Sequence, residues 1–188
     1  MPADAIPTAV NEWLAYTGDK LVLIDTGTSD LFGPFGRLAK NLAAAGVEPC
    51  AVDAVILTHL HPDHGNGLLA VDKKAAFPNA TVHVHEAELG FWMSADNAAR
   101  APDDFKPFFE MARNAIKPYA DAGNVVTFRD GAELAPGVRA MLAAGHAVGH
   151  SMIRVSSQGS ELLLWGDIVH NAALQFPEPD RAIAFDTN

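Results

Sequence analysis

A chain of 188 residues that is 49% apolar and 19% charged is long enough for one domain with a buried core, which excludes disordered and fibrous classes. Its formal net charge of −10, with no basic patch to offset it, excludes nucleic acid and anionic membrane surfaces as partners. Cys50 is the single cysteine, so there is no internal disulfide and no thiolate cluster, and any metal must rest on His, Asp or Glu.

Met1-Pro2-Ala3-Asp4 has neither the basic nor the apolar segment of a secretory leader, and no apolar run reaches the ~20 residues of a membrane span. The reading is a soluble protein of the cytoplasm or periplasm. Val10 to Tyr16 and Leu21 to Ile24 flank Thr17-Gly18-Asp19-Lys20, a strand, turn and strand. Phe35 to Ala45 predicts a helix closed by Gly46, and Val55 to Leu57 a short buried strand. A helix over Leu68 to Ala76, a strand over Thr81 to His85 and a helix over Ala87 to Ser94 follow. Asp103 to Ala122 predicts a longer helix, bent or broken at Pro107 and Pro118. Short strands then succeed one another at Val125 to Phe128, Val138 to Leu142, Met152 to Val155 and Leu162 to Trp165, the last two joined as a hairpin. No repeat or linker interrupts this order, so residues 1–188 read as a single layered α/β domain. The chain stops at Asn188 after a Pro-rich loop with no closing element, which predicts a fragment of a longer domain.

The chemistry concentrates in Thr58-His59-Leu60-His61-Pro62-Asp63-His64-Gly65, where three of the eight histidines and an aspartate lie directly after an apolar strand. Imidazole nitrogens and carboxylate oxygens are donors that divalent first-row metals accept, and grouping them otherwise leaves polar groups competing for partners. A solvated polar loop accounts for one such histidine but not for the cluster. Gly145-His146 lies between two strands, where glycine permits a tight turn. Trp165-Gly166-Asp167 ends the last hairpin, and a carboxylate there can give one oxygen to each of two cations. Asp25 ends the strand Leu21 to Ile24 and is expected behind the ligands, accepting the other ring proton of a histidine.

Asp25-Thr26-Gly27, the His-x-His-x-Asp-His run at 59 to 64, Gly-His at 145 to 146 and Gly-Asp at 166 to 167 together resemble the metallo-β-lactamase superfamily, over almost the whole chain. Leu31 to Pro34, Ala76 to Ala80, Phe91-Trp92, Ala101 to Asp104 and Val169 to Phe176 resemble its methyl parathion hydrolase and quorum-quenching lactonase-like subgroup. The resemblance implies an αββα sandwich of two mixed β-sheets flanked by helices, incomplete at both ends, with the first strand missing upstream of Ile6. It implies two divalent metal ions, zinc first, with manganese, cobalt or iron as alternatives. His59, His61 and His146 would hold one, Asp63 and His64 the second, and Asp167 would bridge them. A bridging hydroxide would attack an ester-like bond in a small-molecule substrate, a lactone or an aryl phosphotriester, with Asp63 and Asp167 as the catalytic carboxylates.

The family supplies a further histidine to the second metal from a later segment that this chain does not contain; His170 could substitute, although a partly exposed loop histidine is the plainer reading. His83 and His85 share one strand face and read as polar surface rather than ligands, and His150 as a turn stabiliser. Phe32, Trp92 and Phe108 could line a substrate pocket, with core packing the plainer reading of each. A mononuclear iron dioxygenase of the same superfamily, using His59, His146 and Asp167, is the alternative activity; a metal-binding but inactive fragment is the other. A homodimer is the default assembly.

Overall fold

The computed structural model describes residues 8–29 and 36–180. Two sheets face one another. The first runs β1 (Trp13–Tyr16), β2 (Leu21–Ile24), β3 (Ala54–Ile56), β4 (Thr81–His85) and β5 (Val125–Phe128) in that spatial order, with β1 antiparallel and the other pairings parallel. The second is an antiparallel meander of β6 (Glu133–Ala135), β7 (Val138–Leu142), β8 (Ser151–Ser157) and β9 (Ser160–Leu164). The sandwich is thus as expected, except that the described strands of the second sheet are wholly antiparallel rather than mixed. Its connections are two-residue turns at either end and an eight-residue loop between β7 and β8, all too short for the crossover that parallel pairing requires.

The central strands read as unbroken apolar runs because both of their faces are covered. Leu23, Val55, Val82 and Val84 point to the helix side, and Val22, Ile24, Ala54 and Ile56 point to the second sheet, where they meet Val138, Ala140, Ile153 and Leu164. The helix layer is built from α1 (Leu38–Ala44), α3 (Glu86–Met93), α4 (Ala95–Arg100) and α5 (Lys106–Asp121); α2 (Pro62–Gly65) and α6 (Ala172–Gln175) are single turns at the sandwich rim. In α5, Phe109, Ala112, Ile116 and Tyr119 are buried at spacings of three and four, the stripe of an amphipathic helix. The Tyr119 hydroxyl donates to Leu68 O (3.0 Å) and accepts from Phe77 N (3.1 Å), fastening the segment between α2 and β4. Burial pushes its pKa up to about 12.

Three expectations need correction. Leu68 to Ala76 is not a helix: a 3-10 turn at Asn66–Leu68 gives way to a tight loop in which Leu69 pairs with Ala75 and Lys73 takes a φ of 62°. Ala70 N donates to Lys74 O and Lys73 N donates to Ala70 O there, so the apolar run caps the core through Leu68 and leaves Val71 in solvent. The α5 helix is continuous through Pro118, because tertiary burial of its stripe outweighs the one hydrogen bond that a proline removes; Pro107 sits in the first turn, where no N–H is needed. The strand β6 and the helix α4, capped by Ser94, were not foreseen.

Candidate metal centre

Every histidine in the 59–64 run is set by the loops at the carboxyl ends of β2 and β3, the edge at which open parallel sheets place their sites. Asp25 follows β2 with a φ of 58°, unusual for a residue other than glycine or asparagine, and its bonds explain why it is held there. Its backbone N–H donates to Ile56 O (2.9 Å). Oδ1 accepts from Thr58 N and Oδ2 accepts from Thr58 Oγ1 and from His64 Nδ1, all at 2.8 Å. With its hydroxyl proton given to Asp25, Thr58 Oγ1 can only accept from His59 Nδ1, 3.0 Å away. Both rings therefore carry a proton on Nδ1 and turn Nε2 inward, where His59 Nε2 is buried without a hydrogen-bond partner and His64 Nε2 meets the Asp167 carboxylate. Thr26 completes the junction by donating N–H and Oγ1 to His64 O, each at 2.8 Å.

The second sheet brings the remaining groups. His146 sits in the loop between β7 and β8, a loop fixed to the first sheet by Ser151 N donating to Thr58 O (2.9 Å). Asp167 follows β9, where Gly166 has a φ of 56° and a Cβ on it would lie 2.6 Å from His150 Nε2. That nitrogen accepts from Asp167 N (3.0 Å); buried His150, held neutral with a pKa of about 4 by desolvation, thus seats the carboxylate. The turn after it is held by Gln175 Oε1, which accepts from His170 N (2.7 Å) and Asn171 N (3.0 Å).

Three overlapping groups result, each with its ligand atoms within 4.8 Å of one another: His59, His61 and His146; His59, His64 and Asp167; and His146, Asp167 and His170. His61 Nδ1 and His146 Nε2 are 2.8 Å apart. Asp167 divides its oxygens, Oδ1 lying 3.1 Å from His64 Nε2, and Oδ2 3.6 Å from His146 Nε2 and 3.3 Å from His170 Nε2. Asp63 stands outside these groups, with Oδ2 3.8 Å from His64 Nε2 and its side chain 42% exposed. Burial, reinforced by neighbouring imidazoles, lowers His59 far below its usual range and His61 to about 3. Burial would lower His64 too, but Asp25 and Asp167 raise it well above its usual value. Burial would raise Asp167, yet His170 and His64 hold it well below the carboxylate range. Buried imidazole nitrogens around an ionised carboxylate are a donor set that fits divalent cations, and the orphaned Nε2 of His59 has no other partner.

Residues 5–184 match the model of the Metallo-beta-lactamase superfamily. The chain belongs to that superfamily. Among solved structures, the superfamily hydrolase AbOPH is similar at 37% identity and a TM-score of 0.88, over 95% of this chain and 62% of that one. AidC, a dizinc quorum-quenching lactonase, is similar at 28% identity and a TM-score of 0.88, over 97% of this chain and 64% of that one. The acyl-coenzyme A thioesterase MBLAC2 of Bos taurus is 27% identical over 173 residues, 87% of this chain and 60% of its own. The chain thus spans about three fifths of the length of these relatives.

Within this superfamily frame, the remaining expectations find definite places. A cavity of about 450 Å³ reaches Asp63, His64, Asp167 and His170 and is walled by Val10, Trp13, Leu162 and Trp165. His170 belongs to that cavity. Trp92 and Phe108 do not line it: Trp92 is buried in the helix-side core with its ring edge-on to His61 at 5.7 Å, and Phe108 packs on the same core. Phe32 lies outside the described residues. His85 is buried rather than part of a polar face, capping α3 by accepting from Ala87 N (3.2 Å) and meeting Phe128 edge-on; His83 is half-buried. Sequence reasoning missed Glu88, which is fully buried behind the cluster, and Gln175. The one signal for Glu88 is its i,i+4 spacing to Trp92 on a helix; nothing local marks Gln175. No described helix is long and apolar enough to cross a membrane.

Proposed function

We propose that this chain carries the catalytic core of a two-metal hydrolase acting on ester-like bonds, with lactones and aryl phosphotriesters as the first substrate classes. The observation that carries the reading is the division of the Asp167 carboxylate, one oxygen toward His64 and the other toward His146. On this reading His59, His61 and His146 hold one divalent cation, zinc first, while His64 and Asp63 hold the second and Asp167 touches both. Asp63 reaches the second position from the exposed rim, where its carboxylate can also take up a proton. Two such cations, when bound, supply an acidified water near neutral pH and polarise the oxygen of the scissile group.

The protein's own residues do the rest. Asp25 fixes the tautomers of His64 and, through Thr58, of His59, so that in each neutral ring the lone pair faces the centre. Trp13, Leu162 and Trp165 give the cavity an apolar wall suited to an acyl chain or aromatic leaving group, while His170 stands beside Asp167 at its floor. The dizinc lactonase AidC and the thioesterase relative support hydrolysis of an acyl bond as the reaction class.

The test is metal content by elemental analysis on protein purified without added metal, together with turnover of an acyl-homoserine lactone and an aryl phosphotriester, for wild type and for a double variant, His61→Ala with His64→Ala. About two equivalents per chain with turnover of either substrate, both lost in the double variant, is the expected result. One equivalent of iron, or a folded and metal-loaded chain that hydrolyses neither, overturns it.

A further inference from the structure

We infer that Glu88 is a positioning residue that joins the two ligand-bearing loops to each other before any cation binds. The inference rests on the reading of the histidine cluster as a metal centre. Glu88 lies in the first turn of α3 and is fully buried, a costly place for a carboxyl group unless its oxygens are satisfied. Here each oxygen takes its bonds from a different part of the site. Oε1 accepts from Leu60 N (3.0 Å), the residue between His59 and His61, and from Trp92 Nε1 (2.7 Å). Oε2 accepts from Gly149 N (2.8 Å), in the loop that carries His146 and His150.

One side chain therefore ties a first-sheet loop 28 residues away to a second-sheet loop 61 residues away. The approach is close: a Cβ on Gly149 would lie 2.5 Å from Glu88 N and 2.7 Å from its Cβ, so glycine is what admits the bond. Trp92, held by the same Oε1, stands edge-on to His61 and fixes the far side of that ring. The 2.8 Å separation of His61 Nδ1 from His146 Nε2 spans these two loops. Asp25 cannot set it, since its bonds reach only Thr58, Ile56 and His64 on the first sheet. Glu88 does not border the cavity and acts through the loops alone.

Glu88→Gln keeps the volume but replaces one acceptor with a donor, so at least one of the three N–H groups must face an NH₂. The experiment titrates Zn²⁺ into metal-free protein against a chelator and records the melting temperature of the same metal-free samples. For Glu88→Gln we expect about 10–100-fold weaker binding of the equivalent held by His61 and His146, the range seen when a partner behind the ligands is lost. Trp92→Phe, which leaves both loop bonds in place, should weaken Zn²⁺ less than threefold. Unchanged Zn²⁺ affinity in a folded Glu88→Gln chain, whatever its melting temperature, overturns the inference and leaves the metal reading standing. A wild type that takes up no Zn²⁺ overturns both.

Should Glu88→Gln not fold, hydrogen exchange in the metal-free wild type decides the matter. The amides of Leu60 and Gly149 should both be slowed, roughly a hundredfold or more against free peptide. Free exchange at either amide overturns the inference.

Discussion

Asp25→Asn replaces one carboxylate oxygen with an NH₂ in the same volume. If the nitrogen takes the place of Oδ1, it opposes Thr58 N–H and leaves a buried donor unmet, at a cost of about 1–3 kcal/mol. If it takes the place of Oδ2, the Thr58 hydroxyl can rotate and accept, but His64 Nδ1 must give up its proton to do the same. That second arrangement is cheaper, and it moves the ring proton to Nε2, the atom 3.1 Å from Asp167 Oδ1. The lone pair that should face a cation is then blocked. We expect the equivalent bound at His64 and Asp167 to weaken about 10–100-fold, or about 1.4–2.7 kcal/mol. The equivalent at His61 and His146 should weaken less, since Asp25 reaches it only through the Thr58 hydroxyl and His59. Metal-free stability should fall by about 1.5–3 kcal/mol for the lost charge-assisted bond. Isothermal titration of Zn²⁺ into metal-free wild type and variant, with urea unfolding of both, measures these quantities. A folded variant that binds both equivalents as wild type does would refute the argument that Asp25 sets the tautomer.

Further expectations come from the same geometry. Asp25 and Asp167 raise His64 well above its usual value against the pull of burial, so its ring holds a second proton more firmly than a free imidazole does, and a cation binding at Nε2 must displace that proton. Calorimetry in buffers of different ionisation enthalpy counts it, and a count near zero contradicts the assignment. Burial holds His61 at about 3 and His150 at about 4, below the ordinary 6.5, so the unfolded chain binds the extra protons. Their contribution is complete above about pH 6.5 and is lost as pH falls toward 4, whereas the raised His64 adds stability below pH 6.5 and loses it at higher pH. With His59 also depressed, the depressed groups outnumber the raised one. The melting temperature of metal-free protein should drop between pH 7 and 4.5, and a flat or rising profile would count against the burial of these rings. Gly67→Ala would place a Cβ 1.9 Å from Thr26 O, forcing apart the backbone that joins Asp25 to the His64 turn. Destabilisation of about 2–3 kcal/mol is expected in chemical unfolding, and a loss under 1 kcal/mol would mean that the two loops are not in contact.

The histidine cluster was legible because His59, His61 and His64 lie within one short stretch after an apolar strand, so adjacency in sequence becomes adjacency in space. Asp25 was legible for the same reason: strand ends in a parallel sheet converge on one edge. Glu88 was not, since its partners Leu60 and Gly149 bond through backbone N–H groups that any residue offers. The loop at 68–76 reads as a helix because Leu68 to Val71 form a continuous apolar run; the positive φ at Lys73 leaves no mark in composition. Aromatic character alone does not distinguish a ring packed in the core, as Trp92 is, from one lining the cavity, as Trp13 is.

The division of the site between the two sheets bears on how the protein matures. His61 and His146 are 85 residues apart, so during synthesis the first group of donors leaves the ribosome well before the second exists. A cation meeting the growing chain finds only the His59 to His64 turn, a partial and weak ligand set. On the proposed metal reading, tight capture waits until the second sheet has docked, and metal uptake would report completed folding rather than seed it.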